Sequence, residues 1–169
     1  MACITAGTGK TGTACTLETD CAAGLTCSED LCRPYCTSAE VGSNCTGTSG
    51  GAPLGVCLQF DSTSDVPIPQ DSFCLFKCSL WPNSCPAGQG CIPFETIGGV
   101  YYSDCHVAGT VAPSGSCTSD SDCIAGSGCF GTTTGVCAQY CRTTTDCGAG
   151  TCNTSSTATV NGVVYGICE

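Results

Sequence analysis

Three stretches of this chain place apolar, β-branched or aromatic residues on both sides of a two-residue break. TVNGVVYGIC (159–168) breaks at Asn161-Gly162, PFETIGGVYYSDC (93–105) at Gly98-Gly99 and, more weakly, TGTSGGAPLGVC (46–57) at Gly50-Gly51. Asn-Gly and Gly-Gly reach the left-handed backbone that tight hairpins require. Each stretch therefore predicts a β-hairpin whose return strand finishes in a cysteine: Cys57, Cys105 or Cys168. In CTLETDCAAGLTC (15–27) and CTSDSDCIAGSGC (117–129) turn residues dominate and no helical period is present. These two stretches predict loops pinned by sulfur. LQFDSTSDVPIPQDSF (58–73) holds two prolines and three aspartates, and predicts an extended linker.

The cysteines repeat on the same scale as the hairpins. Cys15, Cys21 and Cys27 form a three-cysteine phrase, and Cys117, Cys123 and Cys129 repeat its spacing. The second phrase is followed by a five-cysteine run, Cys137, Cys141, Cys147, Cys152 and Cys168. A similar run, Cys74, Cys78, Cys85, Cys91 and Cys105, stands in the middle without a phrase before it. The first phrase is followed by a shortened run, Cys32, Cys36, Cys45 and Cys57, in which the cysteine matching Cys147 is missing. On this reading residues 1–57 form one cysteine-rich unit, 58–73 the linker, 74–105 a lone middle unit and 106–169 a complete second unit. Residues 3–15 and 105–117 also align without a gap and share Ala-Gly-Thr, so Cys3 corresponds to the last cysteine of a run.

The chain has 169 residues and 21 cysteines, a density above the roughly 8–10% that marks a disulfide scaffold. Seven Leu, six Ile, ten Val and five Phe are too few for an ordinary core. Disulfides make up the difference, at about 2–4 kcal/mol each. The expected fold is thus small, disulfide-rich and mainly β-hairpins and loops, with tandem units in an elongated array. Structural zinc favours C-x2-C pairs. None occurs here, and His106 is the single histidine, so no metal site or cofactor is expected. An odd count leaves one thiol over. Parity is met most simply if Cys85 serves the first unit and Cys3 is the residue left. Cys3 then has three readings: the edge of a preceding repeat, a lipid-modified cysteine, or a bridge between chains.

Disulfides imply an oxidising compartment, placing the protein outside the cell or at its surface. No signal peptide precedes the chain, and Met1 reads as an added start before a mature form or excised piece. The formal net charge is −10, with only Lys10, Arg33, Lys77 and Arg142 as cations. That excludes nucleic acid and anionic membrane surfaces as partners, and no apolar run is long enough for a membrane span.

Few residues offer chemistry. AGTGKTGT (6–13) resembles a phosphate loop, but the pattern needs glycine where Ile4 stands. His106, beside Asp104, reads as a surface histidine, because nothing supplies a nucleophile and an orienting group. Asp120 and Asp122, matched by Glu18 and Asp20, read as turn-capping residues ahead of calcium ligands. Asn44 and Asn153 begin glycosylation patterns, which count in a eukaryotic source. The aromatics Phe60, Phe73, Phe76, Trp81, Phe94, Tyr101 and Tyr102 read as a joint between units or a binding patch.

The stretch CTSDSDCIAGSGCFGTTTGVCAQYCRTTTDCGAGTC, and less completely residues 15–45, resembles the cysteine-rich repeats of Dickkopf N-terminal and colipase-like type. It is also similar to repeats in secreted proteins and lipoproteins of deltaproteobacterial type. The resemblance implies extracellular binding or scaffolding and transfers no catalytic residue. The expected function is a non-enzymatic structural or adhesive protein, a subunit of a larger surface assembly or fibre built from copies of itself. The alternative is a recognition module that binds a protein or glycan through the middle aromatics. A small secreted enzyme or inhibitor ranks third.

Overall fold

The structure, a computed structural model, describes residues 5–37, 42–43, 45–49, 52–59, 72–95, 99–131, 134–155 and 158–169. Cys3, Asn44, Phe60 and the Gly50-Gly51 turn therefore lie outside the described residues. The chain divides into two compact units, Met1–Lys77 and Cys78–Glu169.

In the first unit, β1 (Leu25–Ser28) and β2 (Leu31–Pro34) form a two-stranded hairpin, while β3 (Thr48–Ser49), β4 (Ala52–Gln59) and β5 (Ser72–Phe76) form a three-stranded sheet. In the second unit, β6 (Gln89–Glu95) pairs with β7 (Tyr101–Val107). The hairpin of β12 (Thr159–Val160) and β13 (Val163–Val164) extends that sheet, β12 running parallel to β7 at Val160↔Tyr101. A second sheet joins β8 (Ser116–Cys117), β9 (Ser127–Phe130), β10 (Gly135–Cys141), β11 (Cys152–Asn153) and β14 (Gly166–Cys168). Among the described residues the helical pieces are short 3-10 turns at Glu18–Asp20, Asp120–Asp122 and Thr144–Cys147. The fold is small, disulfide-rich and mainly β-hairpins and loops.

Twenty cysteines form ten disulfides, and these sort into five consecutive sets of four with one pairing rule: first to third, second to fourth. The sets span residues 15–32, 36–74, 78–105, 117–137 and 141–168. One geometry underlies all of them. The third and fourth cysteines face each other across an antiparallel pair: Cys27↔Cys32, Cys57↔Cys74, Cys91↔Cys105, Cys129↔Cys137 and Cys152↔Cys168. Neither is bonded to the other. Each is stapled to a cysteine of the preceding loop, so two bridges lie side by side on one ladder.

This rule corrects the three-plus-five parsing. Cys32 and Cys137 close the set before them, and Cys74 closes the set that begins at Cys36. Cys85 bonds Cys105 inside its own set, so the parity argument that lent it to the first unit fails. Spacing misled because the gap between third and fourth cysteines is only a hairpin loop. Its length varies widely between sets at small entropic cost. The C-x3-C pairs Cys32/Cys36 and Cys137/Cys141 are junctions where one set passes directly into the next. The third such pair, Cys74/Cys78, spans the division between the compact units.

The 58–73 stretch is not a spacer between units. Leu58 and Gln59 pair with Phe73 and Ser72, so its two ends are neighbouring strands of one sheet. The expected boundary at 73/74 accordingly moves to 77/78. The Asn161-Gly162 turn joins β12 to β13 with positive φ at both residues, 52° and 80°, as its sequence predicts. The return strand then breaks at Tyr165, and β14 continues in the other sheet. The phrases expected to be loops also end in hairpins, β1–β2 and β9–β10. Glu29 and Asp30 make the first of these turns at φ 50° and 59°, a left-handed conformation that Asp tolerates and Glu rarely adopts.

Candidate functional site

Each candidate from the sequence has a definite place. In every set three sulfurs lie within 4.8 Å of one another, as in a thiolate metal site. These sulfurs are bonded in disulfides, so they carry no thiolate to offer an ion. The grouping is the side-by-side pair of bridges itself.

The acidic residues cap backbone. Asp20 Oδ2 accepts the N–H of Thr16 at 2.8 Å and of Leu17 at 2.9 Å. Asp122 does the same for Thr118 and Ser119 at 2.7 and 3.1 Å, and Asp146 for Arg142 and Thr143 at 2.9 Å each. These backbone hydrogen bonds, first from Thr16, Thr118 and Arg142 respectively, hold the three carboxyls below the ordinary aspartate value. In the 78–105 set Ser84 Oγ takes the role, accepting the N–H of Ser79 at 2.8 Å. A second position reaches across to the third cysteine of the set. Glu18, Asn83 and Asp120 accept the N–H of Cys27, Cys91 and Cys129 at 3.2, 3.0 and 2.7 Å. The paired acids at 18/20 and 120/122 thus fix the loop that carries the first two cysteines.

The phosphate-loop lookalike has its amides occupied. Gly7, Gly9 and Gly12 donate to the carbonyls of Cys21, Asp20 and Cys32. His106 is not a surface residue: it is 5% exposed on β7, opposite Gly90, in a place that the loop at Ala125 also approaches. Burial comes from packing on both sides of the sheet, which sequence does not register. Asn153 is engaged by Glu169 and by the Ser155 N–H.

The aromatics separate. Phe73 and Phe76 are buried, their rings 5.4 and 4.9 Å from the guanidinium of Arg33, itself fully buried with Nε donating to Ser28 O. They join the two sets of the first unit and present no surface patch. Trp81 is half-buried; it overlies Gly126 of the 117–137 set and stands near enough to Asp146 of the 141–168 set to help lower that carboxyl's pKa. It is a joint between sets. Phe94 and Tyr102 face each other on β6 and β7, and Glu95 faces Tyr101.

Tyr101 belongs to a constellation that sequence spacing misses. Together with Leu80, Pro93, Phe130, Tyr140 and Tyr165 it lines a cleft of about 460 Å³ in the second unit. The lining comes from three cysteine sets. Phe130 and Tyr140 meet edge to face, centroids 5.9 Å apart. Tyr165 places its hydroxyl 3.1 Å from Ser79 Oγ. Ser103 Oγ, nearby on β7, accepts from Asn161 Nδ2 at 2.6 Å and from the Cys78 N–H at 2.9 Å, fastening the β12–β13 hairpin to the middle set. Burial, with Asp120 as a second cause, raises the Tyr140 phenol, and a hydrogen bond to Glu95 raises that of Tyr101. Both tyrosines are therefore neutral at ordinary pH. Phe130, Tyr140 and Tyr165 stand singly in the sequence, so no periodicity marks them as partners.

No known protein family, curated protein or solved structure matches this chain.

Proposed function

We propose that this chain is a non-enzymatic, extracellular structural or adhesive module. One observation carries the reading: five consecutive cysteine sets share one pairing rule, and in four of them a polar side chain caps the loop that carries the first two cysteines. Ten disulfides fit an oxidising environment, and a stapled hairpin keeps its shape where no chaperone or reductant acts on it. Among the described residues no helix is long and apolar enough to cross a membrane. The likeness in cysteine cadence to Dickkopf N-terminal and colipase-like repeats is in keeping with a scaffolding role.

Two measurements test the proposal. Intact mass after native alkylation should show the described cysteines blocked only after reduction. Light scattering across a concentration series should show self-association if the module builds a larger assembly. Many free thiols would remove the structural premise, and a monomer at every concentration would remove the assembly.

A second reading, recognition of a partner, is favoured by the aromatic cleft of the second unit.

A further inference from the structure

We infer that the cleft between the sets of the second unit receives a cationic side chain, lysine or arginine, from a basic segment of a partner protein. This rests on the recognition reading above. Three features of the cleft specify the ligand.

The first is size. A cleft of about 460 Å³ lies within the roughly 300–1,000 Å³ of ligand sites and accepts one long side chain with part of its backbone. The second is lining. Tyr101 and Phe130, both partly exposed, supply accessible ring surface and Pro93 apolar surface, the nearly buried Leu80, Tyr140 and Tyr165 complete the lining, and no charged side chain is among the described residues lining it. Rings attract a cation through their quadrupole, and apolar walls suit the methylene stem of lysine or arginine.

The third is charge. Residues 78–169 carry Glu95, Asp104, Asp120, Asp122, Asp146 and Glu169 against a single cation, Arg142. Two of these carboxylates stand behind cleft tyrosines. Glu95 is exposed and hydrogen-bonds Tyr101, its register partner on β7. Asp120 Oδ1 and the Tyr140 hydroxyl both crowd the one side of Gly128 where a Cβ would stand. An uncharged aromatic cleft backed by carboxylates, in a chain of net charge −10, is complementary to a cation and repels an anion.

The test titrates the full disulfide-bonded chain with three probes by NMR or calorimetry. They are the capped tripeptides Ala-Lys-Ala and Ala-norleucine-Ala, and a neutral trisaccharide. The lysine peptide should bind at least about tenfold more tightly than its norleucine twin, and should weaken as salt rises. Tyr101→Ala should weaken it about tenfold more, with an unchanged disulfide map; Glu95→Gln, at an exposed site, should weaken it by a smaller factor. Equal binding of the norleucine peptide, or binding of the trisaccharide alone, would overturn the cation while leaving recognition standing. Binding of none of the three would overturn both, and leave the structural proposal untouched.

Discussion

The sets 15–32 and 117–137 are nearly the same object in two settings. Both have the same bridges, and both fix the first loop with an Asp–Thr cap and a second acid on the third cysteine. Each also accepts the preceding segment of chain in one way. Gly7 and Gly9 donate to Cys21 and Asp20, and Gly109 and Val111 to Cys123 and Asp122. The shared glycine of Ala-Gly-Thr is thereby explained. A Cβ at Gly7 or Gly109 would run into the carbonyl oxygens of the capped loop. What differs is the cover. Gly24 turns at φ 86° with open space around it, while its counterpart Gly126, at φ 84°, lies under Trp81. The first set is joined onward by Arg33 between two phenylalanines, the second by Tyr140 and Trp81. Disulfides and caps make the set; the side chains between sets decide what it is attached to.

That comparison breaks first at the bridges. Replacing Cys21 and Cys32 together by Ala, or Cys123 and Cys137, should each cost about 2–5 kcal/mol in denaturant unfolding without reductant. A loss below about 1 kcal/mol in one copy would mean that the second-to-fourth bridge does not stabilise the two sets alike. Next come the docking glycines. Gly7→Ala and Gly109→Ala should destabilise by similar amounts, about 1–3 kcal/mol, because each forces backbone apart. Unequal losses would show that the two connectors are held differently.

The turn glycines sharpen the difference instead. Gly24→Ala should cost roughly 1–2 kcal/mol for its left-handed backbone alone. Gly126→Ala should cost more, since its Cβ would also meet the Trp81 ring at 3.1 Å. In a double-mutant cycle with Trp81→Ala the excess should disappear at Gly126 and be absent at Gly24.

The smallest effect is acidic pH. Asp20, Asp122 and Asp146 have folded pKa values below the unfolded 3.8, so their contribution is complete above that value. It is lost as pH falls through the folded values. The denaturant midpoint should therefore drop between pH 6 and pH 2.5, and Asp20→Asn with Asp122→Asn should flatten that drop. A variant with an undiminished acid response would place the sensitivity elsewhere.

Much of this was legible along the chain. Cysteine density specified the class of fold, and Asn161-Gly162 specified its hairpin, because both act within a few residues. The capping role of Asp20 and Asp122 was legible too, since a short acid next to Thr or Ser serves its own loop first. The set boundaries were not. Cys32 and Cys137 look like the start of a new group when distances are counted in residues. Only the strand pairing reveals that each faces the cysteine before it. Nor did Glu29-Asp30 announce a turn: Asp30 suits left-handed backbone, but Glu29 does not favour it and carries no turn signal of its own.

Residue order alone was enough to show that this chain is stapled, that acids cap its repeated loops and that the β12–β13 hairpin turns at Asn161-Gly162. Such features depend on neighbours along the chain, whose positions covalent geometry already fixes. Tertiary structure alone decided which sulfurs bond, that His106, Phe73 and Phe76 are buried, and that Tyr101, Phe130, Tyr140 and Tyr165 share one cleft. Those outcomes depend on which face of one set meets another, and residues far apart in a chain of variable hairpin loops acquire that relation only when the sets pack.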